Sequence, residues 1–135
     1  MDLNNLTIKR FQEGLLKKEF SALEITQSFF DYIREKDKEI KAYLDLKKDE
    51  ALNQAKKIDA ALSKGKDIGI LAGVPLAIKD NILIEGQPVT AGSKILENYQ
   101  AAYDATVIKR LKSAGAVILG KTNLDEFAMG ASTEN

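Results

Sequence analysis

The feature that most constrains the fold of this chain is an almost unbroken apolar run from Ile70 to Ile78, which ends in Lys79, Asp80 and Asn81. A short apolar run closed off by turn residues is typical of a β-strand that is buried on both faces. Such strands occur in parallel sheets whose faces are covered by helices. The run therefore predicts an α/β fold, in which other segments supply the helices and at least one more strand.

Three helices are predicted before this run, from capping residues and from apolar residues at helical spacing. The first extends from a Thr7 cap to about Lys18, the second begins at a Ser21–Glu24 capping box, and the third runs from about Lys48 to Ser63 and stops at Gly65. Their inward residues are expected to be Ile8, Phe11, Leu15 and Leu16; Leu23, Ile25, Phe29, Phe30 and Ile33; and Leu52, Ala55, Ile58, Ala61 and Leu62. The opposite face of the third helix, with Lys56, Lys57, Asp59 and Lys64, is interpreted as solvated. Residues Ala42–Leu46 are expected to form a short strand or an extended link.

The second half of the chain is expected to contain a βαβ unit. Ile82–Ile84 is expected to continue as a second strand, with a turn at Gly86. Asp104 is predicted to cap a helix that ends at Ala114, with Val107, Ile108 and Leu111 facing inward and Gly115 as its stop. Ala116–Leu119 reads as another buried strand, and Leu124–Met129 as a short helix. Because a crossover helix joins parallel strands, the two buried strands should be parallel neighbours.

The predicted fold class is therefore α/β: N-terminal helices followed by βαβ elements of a mixed, mostly parallel sheet. Charge supports a division into a helical segment, 1–67, and a first α/β part, 68–135. Of the 40 charged residues, 27 lie in the first segment, whereas seven of the nine glycines lie in the second. This contrast predicts that 1–67 is a solvated helical segment and that 68–135 is more buried and rich in turns.

Composition excludes several classes of function. Equal numbers of acidic and basic residues, 20 of each, argue against a nucleic-acid clamp. The absence of Cys and His removes a thiolate nucleophile, the commonest general base and the commonest zinc ligand, so no metal site is predicted. No apolar run approaches the length of a membrane span, and the start is not of the signal-peptide type. An intracellular, cytoplasmic protein is expected.

One stretch, Gly115 to Thr122, matches the phosphate-loop pattern G-x-x-x-x-G-K-[ST] in every letter. Its four middle residues are Ala, Val, Ile and Leu, which form strands, and their N–H groups are then needed by a sheet ladder. A helix, and not a strand, precedes Gly115. The interpretation is a helix stop, a strand and a turn, without nucleotide binding.

Lys79 is the residue that stands out chemically, because a lysine at the end of a buried strand is unusual. Burial favours the neutral amine, which is a general base. The alternative is a strand-end lysine that extends into solvent, and spacing alone favours it. Strand alternation places Asp80 on the opposite face, so the two side chains need not meet.

Other candidates have weaker patterns. Ser93, Ser113 and Ser132 are nucleophiles by residue type only, and none lies in a strained elbow motif. Lys121–Asn123 follows a strand at the position where open α/β sheets bind ligands, and simple turn chemistry explains it equally well. Met129 could line a pocket or fill a gap in the core.

Four stretches together resemble the amidase signature family. They are Leu71–Asn81 (LAGVPLAIKDN), Tyr103–Thr106, Leu111–Asn123 and Asp125–Asn135, and they follow in the order of that family. The last stretch is similar to one branch, the A subunits of bacterial aspartyl/glutamyl-tRNA amidotransferases. The resemblance extends over the whole chain.

The resemblance implies a catalytic role for Lys79, as the base of a Ser–cis-Ser–Lys triad that hydrolyses the side-chain amide of glutamine. Met129, from its own position between Ala128 and Gly130, is the candidate in this chain for a substrate pocket. The Gly/Ser-rich signature that carries both serines is expected after residue 135. The chain is thus expected to be an N-terminal part of the family domain and to be inactive alone.

The same resemblance implies partners. They are amidotransferase B and C subunits, with ATP and magnesium bound by the partner, and no cofactor is expected in this chain. The misacylated tRNA, Glu-tRNA(Gln), would bind through the B subunit and receive ammonia released from glutamine. Two alternatives stay open: a non-catalytic helical docking module, and an amidase of the same family that acts on other small amides.

Overall fold

The computed structural model describes residues 3–133. Its helices are α1 (Ile8–Leu16), α2 (Ala22–Ile40), α3 (Lys48–Ser63) and α4 (Thr106–Ser113), and its strands are β1 (Tyr43–Leu46), β2 (Pro75–Lys79) and β3 (Val117–Thr122). Short 3₁₀ turns occur at Leu3–Asn5, Lys94–Leu96 and Glu126–Ala128. Within the described residues no helix is long and apolar enough to cross a membrane.

The predicted helix starts are confirmed by their caps. The Thr7 side chain accepts a hydrogen bond from the Arg10 N–H, and α1 begins at the next residue. Ser21 and Glu24 form the reciprocal capping box at the start of α2, with the Ser21 N–H donating to the Glu24 carboxylate at 2.7 Å. The third helix has the predicted bounds. Local sequence therefore determines where these helices begin.

The main core lies where α1, α2 and α3 meet one face of the sheet. Its large members are Phe11, Leu15, Ile25, Phe30, Ile33, Ile58, Val117 and Leu119. Two residues predicted to face inward, Ile8 and Leu16, are instead half or more exposed, because they lie at the two ends of a short helix. A smaller apolar cluster of Ile78, Ile84 and Ile108 lies on the α4 side.

The sheet has the order β1-β3-β2. The β2–β3 pair is parallel, as the βαβ pattern predicts, and β1 pairs antiparallel with the other edge of β3. The sheet is thus mixed, with one pairing of each kind. Gly120 allows the close approach of β1, because a Cβ there would lie 2.1 Å from the Asp45 carbonyl oxygen.

The prediction that the apolar run is buried on both faces is wrong for its two ends. Ile70 is 80% exposed, and Ala77 and Lys79 are also exposed. Ile70 lies in a turn before β2, and the end of β2 is exposed because α2 and α3 pack chiefly against the central strand β3. Within the described residues, β2 is an edge strand.

Three further predictions need correction. Ile82–Ile84 is a turn and not a strand, and buried Ile84 belongs to the small cluster. Asp104 is not the cap of α4; its carboxylate accepts from the Glu85 N–H at 2.8 Å and pairs with Lys112 at 2.7 Å. Burial disfavours the charged form of Asp104, but these hydrogen bonds outweigh burial and hold its pKa below the ordinary value. The aspartate joins a loop to the helix instead of starting it. Val107, predicted to face inward, is 46% exposed.

Candidate active site at the carboxyl end of the sheet

Lys79 is the last residue of β2, and it pairs in register with Thr122 at the end of β3. Its side chain is exposed, as the strand-end interpretation predicts. Within residues 3–133, its amine forms no ion pair or hydrogen bond. The ammonium or amine is therefore available to groups outside the described part of the chain.

The buried lysine of this region is Lys121, the lysine of the phosphate-loop look-alike, and not Lys79. Its side chain is 1% exposed. The register of β2 and β3 shifts after Leu76, so that β3 contains one extra residue there. A bulge of this kind exchanges the two faces for the residues that follow. Lys121 consequently lies beside buried Ile78, whereas Thr122 lies beside exposed Lys79.

Asp80 is the partner of Lys121. The Lys121 Nζ lies 2.8 Å from the Asp80 Oδ1 and also donates to the Pro88 carbonyl at 3.1 Å. The second carboxylate oxygen, Oδ2, accepts from the Thr90 N–H at 2.9 Å and from its hydroxyl at 2.5 Å. Asp80 is 1% exposed, so both charges of the pair are removed from water. The Asp80 carboxylate follows Lys79 in sequence but is bound to Lys121 and Thr90 on the opposite face of the strand.

The backbone of Asp80 ties the strand end to its neighbours. Its N–H donates to the Thr122 carbonyl at 3.0 Å, which continues the sheet by one bond. Its carbonyl accepts from the Ala91 N–H at 3.0 Å. The loop from 80 to 93 is therefore folded back on the end of β2, by main-chain bonds as well as by the buried pair.

The segment after β3 is attached to the same loop. The Phe127 N–H donates to the Ala91 carbonyl at 2.8 Å, and the Ser93 hydroxyl donates to the Glu126 carboxylate at 2.5 Å. The predicted helix at Leu124–Met129 is only a 3₁₀ turn, with Phe127 at a φ of 52°. Met129 is 79% exposed at the end of this turn. Its role in a substrate pocket stays a prediction.

Unusual backbone conformations are concentrated in these two segments. Of the six described non-glycine residues with positive φ, four are Ala91, Phe127, Ala128 and Thr133. Such conformations cost of order 1–3 kcal/mol each and persist only where the surrounding structure enforces them. The bonds between the loop and the turn provide that enforcement here. This end of the sheet therefore has the character of a functional site.

The three candidate serines do not form a nucleophilic centre by themselves. Ser93 is buried and donates to Glu126, whereas Ser113 and Ser132 are exposed. Among the described residues, no group of His, Cys, Asp and Glu could hold a metal ion. Chemically, the site offers the uncommitted amine of Lys79 beside the loop from 80 to 93, which is held by the Asp80–Lys121 pair.

Sequence reasoning placed Lys79 correctly at a strand end but missed the Asp80–Lys121 pair. Lys121 stood out only as the lysine of the phosphate-loop look-alike, and not as a buried ion-pair partner. Strand alternation correctly predicted that the Asp80 side chain lies on the face opposite Lys79. The bulge in β3 could not be predicted from the sequence, because it depends on how β3 pairs with β2. A lysine inside an otherwise apolar strand was the only available signal.

Comparison with known proteins gives matches over most or all of the chain. The amidase family profile matches residues 24–135. Over the whole chain, 54% of residues are identical to the A subunit of the glutamyl-tRNA(Gln) amidotransferase of Koribacter versatilis, of which the chain covers 28%. The protein of the same name from Fusobacterium nucleatum is 50% identical over 98% of this chain and 27% of its own length.

A solved structure agrees with this result. The native peptide amidase from Stenotrophomonas maltophilia superposes with a TM-score of 0.88 at 32% identity, over 98% of this chain and 28% of that enzyme. The chain thus spans a little over a quarter of the length of the relatives that it matches.

Proposed function

The chain belongs to the amidase family, and on that premise we propose that the complete gene product is the glutamine-hydrolysing A subunit of a tRNA-dependent amidotransferase. The observation that carries the proposal is the 54% identity to such a protein over all 135 residues. The uncommitted amine of Lys79 at the strand end supports it from the structure.

In the proposed reaction, the neutral amine of Lys79 takes a proton from a bridging serine, which takes one from a nucleophilic serine. Both serines come from the chain beyond residue 135. The nucleophilic oxygen attacks the side-chain amide carbon of glutamine, and the C–N bond breaks as the nitrogen receives the proton and leaves as ammonia. Water then cleaves the acyl-enzyme in the same way, so that glutamine and water give glutamate and ammonia.

Lys79 suits this role because it combines a fixed backbone with a free side chain. Its Cα is held by the β2–β3 ladder, and the next residue, Asp80, is anchored through four hydrogen bonds and the ion pair with Lys121. A general base contributes about 10²–10⁴-fold in rate when it is correctly placed. Met129, exposed at the end of the neighbouring turn, is the proposed substrate-pocket residue in this chain.

The proposal extends to the partners of the complete protein. It would act in the cytoplasm with B and C subunits, and the ammonia would be used on misacylated Glu-tRNA(Gln) with ATP and magnesium bound by the partner. The absence of a basic excess in this chain is consistent with tRNA contacts made by the partner.

The test is substitution of Lys79 in the complete gene product. Lys79→Ala should lower glutamine hydrolysis by at least about 10²-fold, and Lys79→Arg should be nearly as damaging, because arginine keeps its proton near neutral pH. Lys57→Ala, on the exposed face of α3, is the matched control and should leave the rate unchanged.

The competing functions give different results in the same assay. Near-normal glutamine hydrolysis by the Lys79→Ala variant would contradict the role of this lysine. Hydrolysis of peptide amides in preference to glutamine would instead indicate an enzyme closer to the peptide amidase of Stenotrophomonas maltophilia. A complete gene product without any amide hydrolysis would point to a docking module.

A further inference from the structure

We propose that the buried Asp80–Lys121 ion pair is a positioning device, which holds Lys79 and the turn that carries Met129 in working geometry. The inference rests on the proposed function of Lys79. Lys121 and Asp80 touch no reacting atom in this proposal; they act through the strand end and the loop.

The first argument is the location of the pair in the fold. Lys121 belongs to β3, Asp80 follows the last residue of β2, and Pro88 and Thr90 belong to the loop. One ammonium group therefore connects two parallel strands and the loop beyond them. Removing it would leave the strand end and the loop held only by the main-chain bonds of Asp80 and by Thr90.

The second argument is energetic. Burying two charges is expensive, and a buried ion pair is often no more stabilising than apolar residues of similar volume. Here each partner is only 1% exposed, at the edge of an apolar cluster that contains Ile78. Such a pair is poor evidence of a role in stability alone, and fixing a single geometry is the better explanation.

The third argument concerns charge next to Lys79. Asp80 is adjacent to Lys79 in sequence, and a free carboxylate there could form an ion pair with the catalytic amine. In the structure its two oxygens are engaged by Lys121 and Thr90 on the opposite face. Strand alternation directs Asp80 to that face, and the pair holds its carboxylate there, so the Lys79 amine stays uncommitted.

The fourth argument connects the pair to the second proposed site residue. The loop held by Asp80 contains Ala91, whose carbonyl accepts from the Phe127 N–H. Phe127 lies in the turn that ends at Met129. Ala91 and Phe127, which this bond joins, both have a positive φ, a conformation that persists only where the surrounding structure enforces it. Disturbance of the pair should therefore reach both Lys79 and Met129.

The experiment compares four variants of the complete gene product: Lys121→Met, Asp80→Asn, the double variant Asp80→Asn/Lys121→Met, and Thr90→Val, which removes a hydroxyl that donates to Asp80 and accepts from the Gly92 N–H. The measurements are kcat and KM for glutamine hydrolysis per mole of folded protein, below the unfolding transition. Lys121→Met should lower kcat by about tenfold or more, since displacement of a catalytic group by about 1 Å can cost ~10²-fold. KM should change less than kcat.

The other variants should follow a defined order. Asp80→Asn should also lower kcat, and the double variant should recover part of the loss because it leaves no unpaired charge. Thr90→Val should give a smaller loss in the same direction. Lys112→Met is the matched control: it breaks the Asp104 ion pair at α4 and should leave kcat unchanged.

The two proposals fail in distinguishable ways. If Lys79→Ala abolishes activity while Lys121→Met and Thr90→Val keep a normal kcat and only unfold more easily, the pair is merely structural and this inference is wrong. If Lys79→Ala keeps its activity, the proposed role of Lys79 is wrong, and the inference falls with it. Should Lys121→Met fail to fold, Thr90→Val and the double variant decide the question.

Discussion

Two aspartates hold backbone in place in the two halves of this molecule, and they do so by different means. Asp59, on α3, accepts hydrogen bonds from the N–H groups of Ala22 and Leu23 at 2.8 and 3.0 Å. Asp80, at the end of β2, is engaged by the ammonium of Lys121 and by Thr90. The first anchors one helix on another, and the second anchors a loop on a sheet.

The difference lies in burial and in what supplies the opposite charge. Asp59 is partly exposed and needs no cation, because unpaired N–H groups and the helix dipole at the start of α2 favour a negative charge. Asp80 is fully buried where no helix begins, so a buried lysine has to compensate it. The helical half thus uses groups that every helix offers, whereas the sheet end needs a specific partner from a distant strand.

The largest expected effect on stability is at the buried pair. Lys121→Met leaves the Asp80 carboxylate buried without its cation, and this should lower the free energy of unfolding by about 3–5 kcal/mol. The double variant Asp80→Asn/Lys121→Met should lose much less, because no uncompensated charge remains. Urea denaturation of the complete gene product measures both. Equal losses in the single and double variants would show that the charge is not what matters.

The Asp59 cap should have a smaller effect. Asp59→Ala leaves two N–H groups of the first turn of α2 without their acceptor, and loss of a cap typically costs about 1 kcal/mol, with a range of ~0.5–2. Hydrogen exchange at the amides of Ala22 and Leu23 should accelerate, while the middle of α2 changes little. Lys57→Ala on the same helix is the control. Acceleration spread evenly along α2 would contradict a local capping role for Asp59.

The contrast also explains what the sequence could reveal. The Thr7 and Ser21 caps were predicted correctly because each depends on residues within one turn of the helix end. The α3 bounds were also predicted correctly, from apolar spacing and the Gly65 stop, although its start has no side-chain cap. The parallel β2–β3 pair followed from the βαβ pattern. Asp59 was interpreted as solvated. Its hydrogen-bond partners were missed because they lie 36 and 37 positions away in the sequence.

The candidate site was less accessible to sequence reasoning for the same reason. Lys79 could be placed at a strand end, but the burial of Lys121 depends on a bulge in the pairing of two strands about 40 residues apart. The turn at Phe127 and Ala128 takes left-handed conformations that these residue types rarely adopt. Such features follow from tertiary contacts and not from local preference. They also cluster where the proposed chemistry lies.

The smallest effect expected is a pH dependence confined to the helical half. The hydrogen bond from the Ser21 N–H, with a second from its hydroxyl, holds the pKa of Glu24 below the ordinary value of a glutamate. Because the folded-state pKa is the lower one, the stabilisation is present above the unfolded pKa of about 4.3. It is lost as the pH falls further, through the folded-state pKa.

Glu24→Gln isolates this contribution, because glutamine keeps an acceptor for the Ser21 N–H but carries no charge. The wild-type protein should be more stable than the variant at neutral pH, and the gap should close as the pH falls below about 4. Urea denaturation of both proteins at several pH values measures the gap. If the stability difference between the two proteins stays constant with pH, the capping box binds the Glu24 carboxylate no more tightly than its protonated form. The cap would then contribute through geometry alone, and charge would matter in this molecule chiefly where it is buried, at Asp80 and Lys121.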